Sequence, residues 1–353
     1  MELLVVGAGI TGSLTAALLA RRCQELAVGL TVWDKARGAG GRMSTHRLPA
    51  DPSMHVDMGA QYISRFQRTE EDLEYQKQKD EIYAELISSE ILTPFCGKID
   101  GELESHANIS KFVAPKGLSN IAKCFLSQSS ATTQFQQQLI KVELNHHDHR
   151  HKILCTTASQ FQANFDAMVL TVPVPQMLAL QGNLIGSIDP EIITKLSSVK
   201  YSSRFALGLF YNEAATVPSC SWSGKYIDHP IIRYASWDTA KRATGSKGKT
   251  LLLHTSVPFG IKHFNSTNRE VQELIEQTLK ELIPGLPLSC HSYLLRWRYS
   301  QVSQPYPGYP GCVVLSHNPL VIATGDAFSE SSFDGCLYAA NATAKLLIQY
   351  LQQ

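Results

Sequence analysis

The sequence predicts two structural units: an α/β nucleotide-binding unit, and an α+β unit built on an antiparallel sheet. Three observations carry this. Residues 2 to 34 read as strand, glycine turn, helix and strand. A middle block near residues 201–257 offers strand after strand with no helix between them. Close to the C-terminus, the apolar run 320–324 leads into a helix and restores the βα rhythm.

Taken in order, Leu3-Leu4-Val5-Val6 is a short buried strand and Gly7-Ala8-Gly9-Ile10-Thr11-Gly12 is a G-x-G-x-x-G turn. Gly7 permits the tight turn, Gly9 lets a pyrophosphate approach the backbone, and Gly12 lets the following helix pack on the strand. That helix runs from about Thr11 to Arg22, and its N-terminus offers N–H groups and partial positive charge to phosphates. The run Leu30 to Trp33 is the second strand, and Asp34 at its end can accept both hydroxyls of an adenosine ribose. Together these parts form a Rossmann-type unit.

Residues 66–90 read as a surface helix with a thin apolar stripe of Leu73, Ile82, Leu86 and Ile87. Phe112 to Gly117 is a strand entering a turn, with a helix near 118–126. Two strands occupy 134–157, joined at a tip carrying His146, His147, His149 and His151; without Cys or Glu partners, this tip reads as a solvated turn. Phe165 to Val172 is a buried strand ended by Pro173-Val174-Pro175. Strands follow at 201–211, 231–237 and 250–257, then helices at 268–282 and 335–351. The nucleotide-binding unit is therefore discontinuous, covering 1–74, 106–172 and 296–353; residues 75–105 and 173–295 form the substrate unit.

Composition narrows the function. Of 353 residues, 44% are hydrophobic and 18% charged, an ordinary globular composition with room for a large core. The net charge of +1 gives no global field favouring nucleic acid or an anionic membrane. Eight scattered cysteines without a C-x-x-C pair indicate reduced thiols and no metal. Residues 3–20 lack the basic start of a cleaved leader, and no stretch reaches the roughly 18 apolar residues of a membrane span. A cytoplasmic monomer acting on a small molecule is expected.

Residues after Asp34 choose the dinucleotide. Lys35 and the turn Gly40-Gly41-Arg42-Met43 bring an arginine beside the first site, suited to a pyrophosphate. A second cluster is Asp57-Met58-Gly59-Ala60-Gln61-Tyr62, and a third joins Ala323-Thr324-Gly325-Asp326 to Phe333-Asp334-Gly335-Cys336. FAD is long enough to need all three. Asp326 suits a ribityl hydroxyl, and the helix near Gly335 can aim its dipole at the flavin N1/C2=O edge. Cys336 reads as a packing residue at that helix start.

These motifs resemble the flavin-containing amine-oxidase superfamily and, within it, the renalase family. The likeness continues through 112–115, 201–211, 254–260, Trp297-Arg298, Ser300-Gln301-Val302 and 333–336, nearly the whole chain. It implies a two-domain flavoprotein of the p-hydroxybenzoate-hydroxylase type with non-covalent FAD. The implied reaction oxidises 2- and 6-dihydro isomers of NAD(P)H to NAD(P)+, with O2 reduced to hydrogen peroxide. Tyr62, His254, Trp297 and Arg233 are the residues expected to line the substrate cavity. Two departures stand out: Asp34 replaces the glutamate of many superfamily members, and no cysteine matches the flavin tether of monoamine oxidases. Residues 146–151 and 239–249 are unmatched and read as variable loops. An amine oxidase of catecholamine type, or a non-catalytic signalling protein on the same fold, stays open at this point.

Overall fold

The strand Glu2–Val6 sits inside a six-stranded sheet, between Ala167–Leu170 on one side and Gly29–Asp34 on the other. Thr132–Phe135 closes one edge; Leu320–Thr324 and then the antiparallel Cys312–His317 close the other. The computed structural model describes residues 1–22, 28–66, 73–104, 109–145, 152–242 and 248–352. Both faces of the sheet are covered, which explains the unbroken apolar run of its first strand. Leu3 and Val5 enter a core with the helices Ile10–Arg22, Ser119–Gln128 and Phe333–Leu351; Leu4 and Val6 enter a second core with Trp33, Val142 and Phe165.

The second large sheet is antiparallel over five strands: His291–Trp297, Arg204–Tyr211, Lys249–Thr255, Ile232–Trp237 and Gly224–Tyr226. Phe205, Leu207, Leu209 and Tyr211 pack with Phe259, Val271 and Ile275 of the helices Val257–Lys262 and Asn268–Leu282. Ala206 and Phe210, on the opposite face, meet Met54, Val56 and Met58. Thr267 and Glu270 form a capping box that starts the longer helix where its sequence places it. The mixed α/β architecture expected from the sequence is the one observed.

Three local expectations change. The strand expected over 165–172 is two strands in different sheets, Gln162–Phe165 and Ala167–Leu170. Asp166 separates them: its N–H donates to the Glu2 carbonyl at 2.8 Å and its carboxylate accepts the Glu2 N–H at 2.7 Å. The helix expected over 66–90 is Leu73–Ser88, but Leu73 is 82% exposed while Tyr75, Ile82, Tyr83 and Leu86 are buried. These lie on one 3.6-residue stripe, which seats Ile82, Tyr83 and Leu86 in the nucleotide-side core rather than on the substrate side. Third, the stretch 239–249 is not simply a variable loop, because Lys241 and Arg242 are buried. The histidine tip 146–151 lies outside the described residues. Among the described residues, no helix is long and apolar enough to cross a membrane.

Candidate functional site

One cavity of about 1430 Å3 runs from the glycine turn, past Arg42 and Asp326, to the antiparallel sheet. Its nucleotide end is built by the first strand and helix. Gly7 has φ of 114° and donates its N–H to the Trp33 carbonyl at 2.7 Å, drawing the turn over the second strand. At Gly12 a Cβ would overlap the Gly7 carbonyl oxygen, so this glycine is a packing position, off the cavity wall. Gly9 is the reverse: it lies on the wall, and a Cβ there would meet no protein atom within 4 Å. The space in front of Gly9 is open for a ligand. Gly7, Thr11 and Lys35 share this wall. Asp34 does too; its carboxylate accepts the N–H of Ala8 and of Ala36, both at 2.7 Å, which fixes it at the strand end. Each carboxylate oxygen keeps a further acceptor site.

Midway along the cavity Arg42 and Asp326 meet. The guanidinium donates through two nitrogens to the two carboxylate oxygens at 2.6 and 2.7 Å, and Ser331 donates its hydroxyl to Asp326 at 2.9 Å. The sequence suggests separate grips on FAD for these residues; the fold adds a bidentate fork between them. A guanidinium has five N–H donors, so Arg42 retains capacity for another acceptor. Met43 and Cys336 complete this stretch of wall. Burial pushes the Cys336 thiol up to about 12, with the charge of Asp326 acting in the same direction, so it is held as a thiol.

Asp334 and Gly335, expected on the flavin, are off the wall. Asp334 accepts the Tyr83 hydroxyl at 2.6 Å and the Phe66 N–H at 3.3 Å, while Gly335 donates its N–H to Ser332 at 3.0 Å. The last helix starts at Phe333 with Ser332 as its cap, so Ser332, Phe333 and Cys336 are the residues it presents to the cavity.

The cluster 57–62 is anchored from behind by charge. Asp57, Asp238, Lys241 and Arg242 are buried together: Arg242 pairs with both Asp57 and Asp238, and Lys241 pairs with Asp238 and lies 3.5 Å from Asp57. Asp57 also accepts from the Thr45 hydroxyl at 2.7 Å and the Leu118 N–H at 2.9 Å. Lys241 donates to Gln61 at 3.1 Å, and the Gln61 amide returns a bond to the Asp57 carbonyl at 2.7 Å. Gly59 lies so close to Arg42 that a Cβ would overlap the Arg42 carbonyl oxygen; the Ala60 N–H bonds that oxygen at 3.0 Å. Ala60, Gln61 and Tyr62 thereby reach the wall.

The far chamber is aromatic. Tyr62 and Tyr226 share a hydroxyl–hydroxyl bond of 2.8 Å, and the Tyr226 ring meets Tyr234 edge-on with centroids 4.9 Å apart. Burial raises the Tyr62 and Tyr234 phenols, so both stay protonated. His254 Nε2 and Trp297 Nε1 converge on one acceptor, the Met58 carbonyl, at 3.1 and 2.9 Å. That carbonyl only accepts, so Nε2 carries the hydrogen; burial lowers His254 to about 4, and the ring is neutral. Arg233 and Arg204 are also on this wall. All four residues expected in the chamber, Tyr62, His254, Trp297 and Arg233, line the one cavity. Sequence reasoning did not find Tyr226, Tyr234, Arg204 or the Asp238–Lys241–Arg242 group. The i, i+3, i+4 spacing of the last three was a legible signal of local pairing.

Residues 5–75 match the NAD(P)-binding Rossmann-like domain family. A solved structure from Exiguobacterium sp. 255-15, assigned provisionally as a protoporphyrinogen oxidase, superposes with a TM-score of 0.73 at 12% identity, covering 100% of this chain and 99% of that one. A Pyrococcus furiosus protein superposes with a TM-score of 0.61 at 13% identity, covering 99% and 98%. Fold and site define an FAD-dependent oxidoreductase with a Rossmann-type nucleotide domain. Renalase of Mus musculus is 37% identical over 353 residues, covering 99% of each chain. The chain belongs to the renalase family and is a renalase-like flavoprotein oxidase.

The residues present fit the flavin this family implies. The wall opens at Gly9, a cationic group stands at Arg42, and the cavity continues past Asp326 into an aromatic chamber. Gly7 to Thr11 would hold the pyrophosphate, Asp34 the adenosine ribose, and Arg42 with Asp326 the middle of the molecule.

Proposed function

We propose that this protein oxidises 2- and 6-dihydro isomers of NAD(P)H to NAD(P)+, with O2 reduced to hydrogen peroxide. Bound FAD supplies the hydride acceptor, and the protein supplies orientation and electrostatics. The observation that carries this reading is the chamber wall of Tyr62, Tyr226, Tyr234, His254 and Trp297, which contains no carboxylate among the described residues. Among the described residues the only acids on the cavity wall are Asp34, at the nucleotide end, and Asp326, midway, and both are already engaged.

Such a wall suits a donor that needs no proton removed. Loss of hydride from an isomeric dihydronicotinamide restores an aromatic ring, so no base is required. His254, held at about 4 and committed through Nε2 to Met58, is a poor base at neutral pH. An amine arrives as a cation and must shed its proton, and this wall offers neither a counter-charge nor a base. The aromatic rings instead orient a flat donor and exclude water.

Non-covalent FAD belongs to the same proposal, supported by Cys336 being the one wall cysteine among the described residues and held as a thiol. The division at 1–74, 106–172 and 296–353 against 75–105 and 173–295 is also proposed, with the helix Leu73–Ser88 moved to the nucleotide side on its packing. The test is anaerobic mixing of holoenzyme with 2- and 6-dihydro-NAD, their phosphorylated forms, and catecholamines. Bleaching of the flavin bands by the isomers alone is expected. Bleaching by amines alone overturns the reading in favour of an amine oxidase, and bleaching by none overturns it in favour of a non-catalytic protein.

A further inference from the structure

Two arginines of the chamber wall, the half-buried Arg204 and the exposed Arg233, have no acidic partner among the described residues. Arg204 begins the strand Arg204–Tyr211, and its neighbour across the ladder is Trp297. Its Nε is buried with no hydrogen-bond partner, and its one terminal contact is to the neutral Gln301 amide oxygen at 3.3 Å. Arg233 touches a backbone carbonyl, that of Ile227, at 3.1 Å, and its guanidinium lies 6.0 Å from the Tyr226 ring centroid. Neither pairs with a carboxylate among the described residues.

The other arginines on the cavity wall have different surroundings, with Arg42 forked to Asp326. Arg296 is held by the carbonyls of Phe264 and Ser266, and Arg298 lies over the Phe264 ring at 4.4 Å. The backbone at Arg233 is also irregular. Ile232 pairs with Thr255 and Tyr234 with His254, so Arg233 is the extra residue of a β-bulge. In a regular strand Arg233 and Tyr234 would point to opposite faces. Here both reach the cavity, as expected where a bulge re-aims a side chain. Burial depresses Arg204, and the charge of Arg233 nearby depresses it further. Two like charges beside one another without an acid between them leave a locally positive wall that an anion would complete.

We propose that Arg204 and Arg233 form a phosphate-reading pair that selects anionic hydride donors and rejects cationic ones. The proposal rests on the reading of this chamber as the hydride-donor site, and it names what in the donor is recognised: phosphate oxygens rather than the nicotinamide alone. Guanidinium groups suit this task because their donors match a phosphate in fork geometry.

The test uses holoenzyme of the parent, Arg233→Gln, Arg233→Lys and Arg204→Gln. Flavin reduction is measured with three isomeric dihydronicotinamide donors: the dinucleotide, the mononucleotide and the uncharged nucleoside. Inorganic pyrophosphate is titrated separately, following the flavin absorption bands. The ratio of kcat/KM for the mononucleotide over the nucleoside is expected to fall about tenfold in Arg233→Gln, the loss of one charge-assisted bond, and to recover in part in Arg233→Lys. A fall seen only with the dinucleotide supports the pair but assigns it to the distal phosphate. An unchanged ratio for every donor in both glutamine variants overturns the proposal; Arg233 is exposed, so that variant will fold. If no dihydronicotinamide reduces the flavin, the functional reading fails, and pyrophosphate alone decides the pair. A pyrophosphate-induced spectral shift that weakens in Arg233→Gln then supports it, whereas a shift that persists unchanged, or no shift in the parent, overturns it.

Discussion

Replacing Asp57 by asparagine removes one negative charge from a buried group that is neutral as a whole, with Asp57 and Asp238 facing Lys241 and Arg242. The side chains of all four are at most 1% exposed, so water cannot take the place of the lost partner. Asparagine can still accept from the Thr45 hydroxyl and the Leu118 N–H, so the change isolates charge from shape. Breaking a buried ion pair from one side costs about 3–5 kcal/mol, because the remaining charge stays buried. For 353 residues an unfolding entropy of about 2.1 cal/mol/K per residue amounts to about 0.74 kcal/mol/K, so Tm should fall by about 4–7 °C. The assay is thermal unfolding of holoenzyme followed in parallel by far-UV circular dichroism and by FAD fluorescence, which rises on release. Gln61 and Met58 hang from this group, so flavin release should move down with the unfolding transition. Glu273→Gln, breaking an exposed pair with Arg269, is the control and should not move it. An Asp57→Asn melting point within 1 °C of the parent, against the drop worked above, would refute the view that buried charge holds this cluster in place.

Other consequences follow from the same geometry. Arg42→Ala and Asp326→Asn each break the fork, and FAD affinity by equilibrium dialysis should weaken about 10–100-fold; unchanged affinity in either would exclude that residue from flavin retention. Gly9→Ala and Gly12→Ala should separate binding from folding. The first places a methyl in open space, so the flavin-free protein should melt as the parent does while FAD binding falls; the second meets the Gly7 carbonyl and should lower stability itself. Equal FAD affinity in Gly9→Ala would show that the wall opposite this turn is not where the pyrophosphate lies. Finally, His254 is lowered to about 4 in the fold from an ordinary value near 6.5. Below pH 6.5 the unfolded chain binds a proton that the native chain refuses, so stability falls as pH drops toward 4, by as much as about 3 kcal/mol. Above 6.5 this group contributes no slope. Urea unfolding of His254→Asn between pH 4 and 7 should show a shallower dependence than the parent, and an identical slope would mean that His254 is solvated.

Legibility followed the range of the interactions. The strand Glu2–Val6, the glycine turn, the helix Asn268–Leu282 and the strand Leu320–Thr324 were readable because periodicity and glycines act within a few residues. Even the helix Leu73–Ser88 was found, although the buried stripe is carried by Tyr75 and Tyr83 rather than Leu73 and Ile87. Tyrosines read as surface or core equally well until a partner such as Asp334 is in view.

By itself, the sequence determined the nucleotide end of this protein: Gly7, Gly9 and Gly12, the acid at 34 and the arginine at 42 are set by local chemistry and fixed spacing. Tertiary structure decided the rest of the site. The Met58 carbonyl receives bonds from residues 196 and 239 positions away, and Arg42 meets Asp326 across 284. Lys241 and Arg242 read in sequence as part of the variable loop 239–249 and become the buried support of the Asp57 cluster only when two distant segments meet. The aim of Arg233 depends on a one-residue bulge in a ladder. The physical reason is common to all four. A charge, a carbonyl or a bulge has a meaning fixed by its partner and by exclusion of water, and neither is written in the residues beside it.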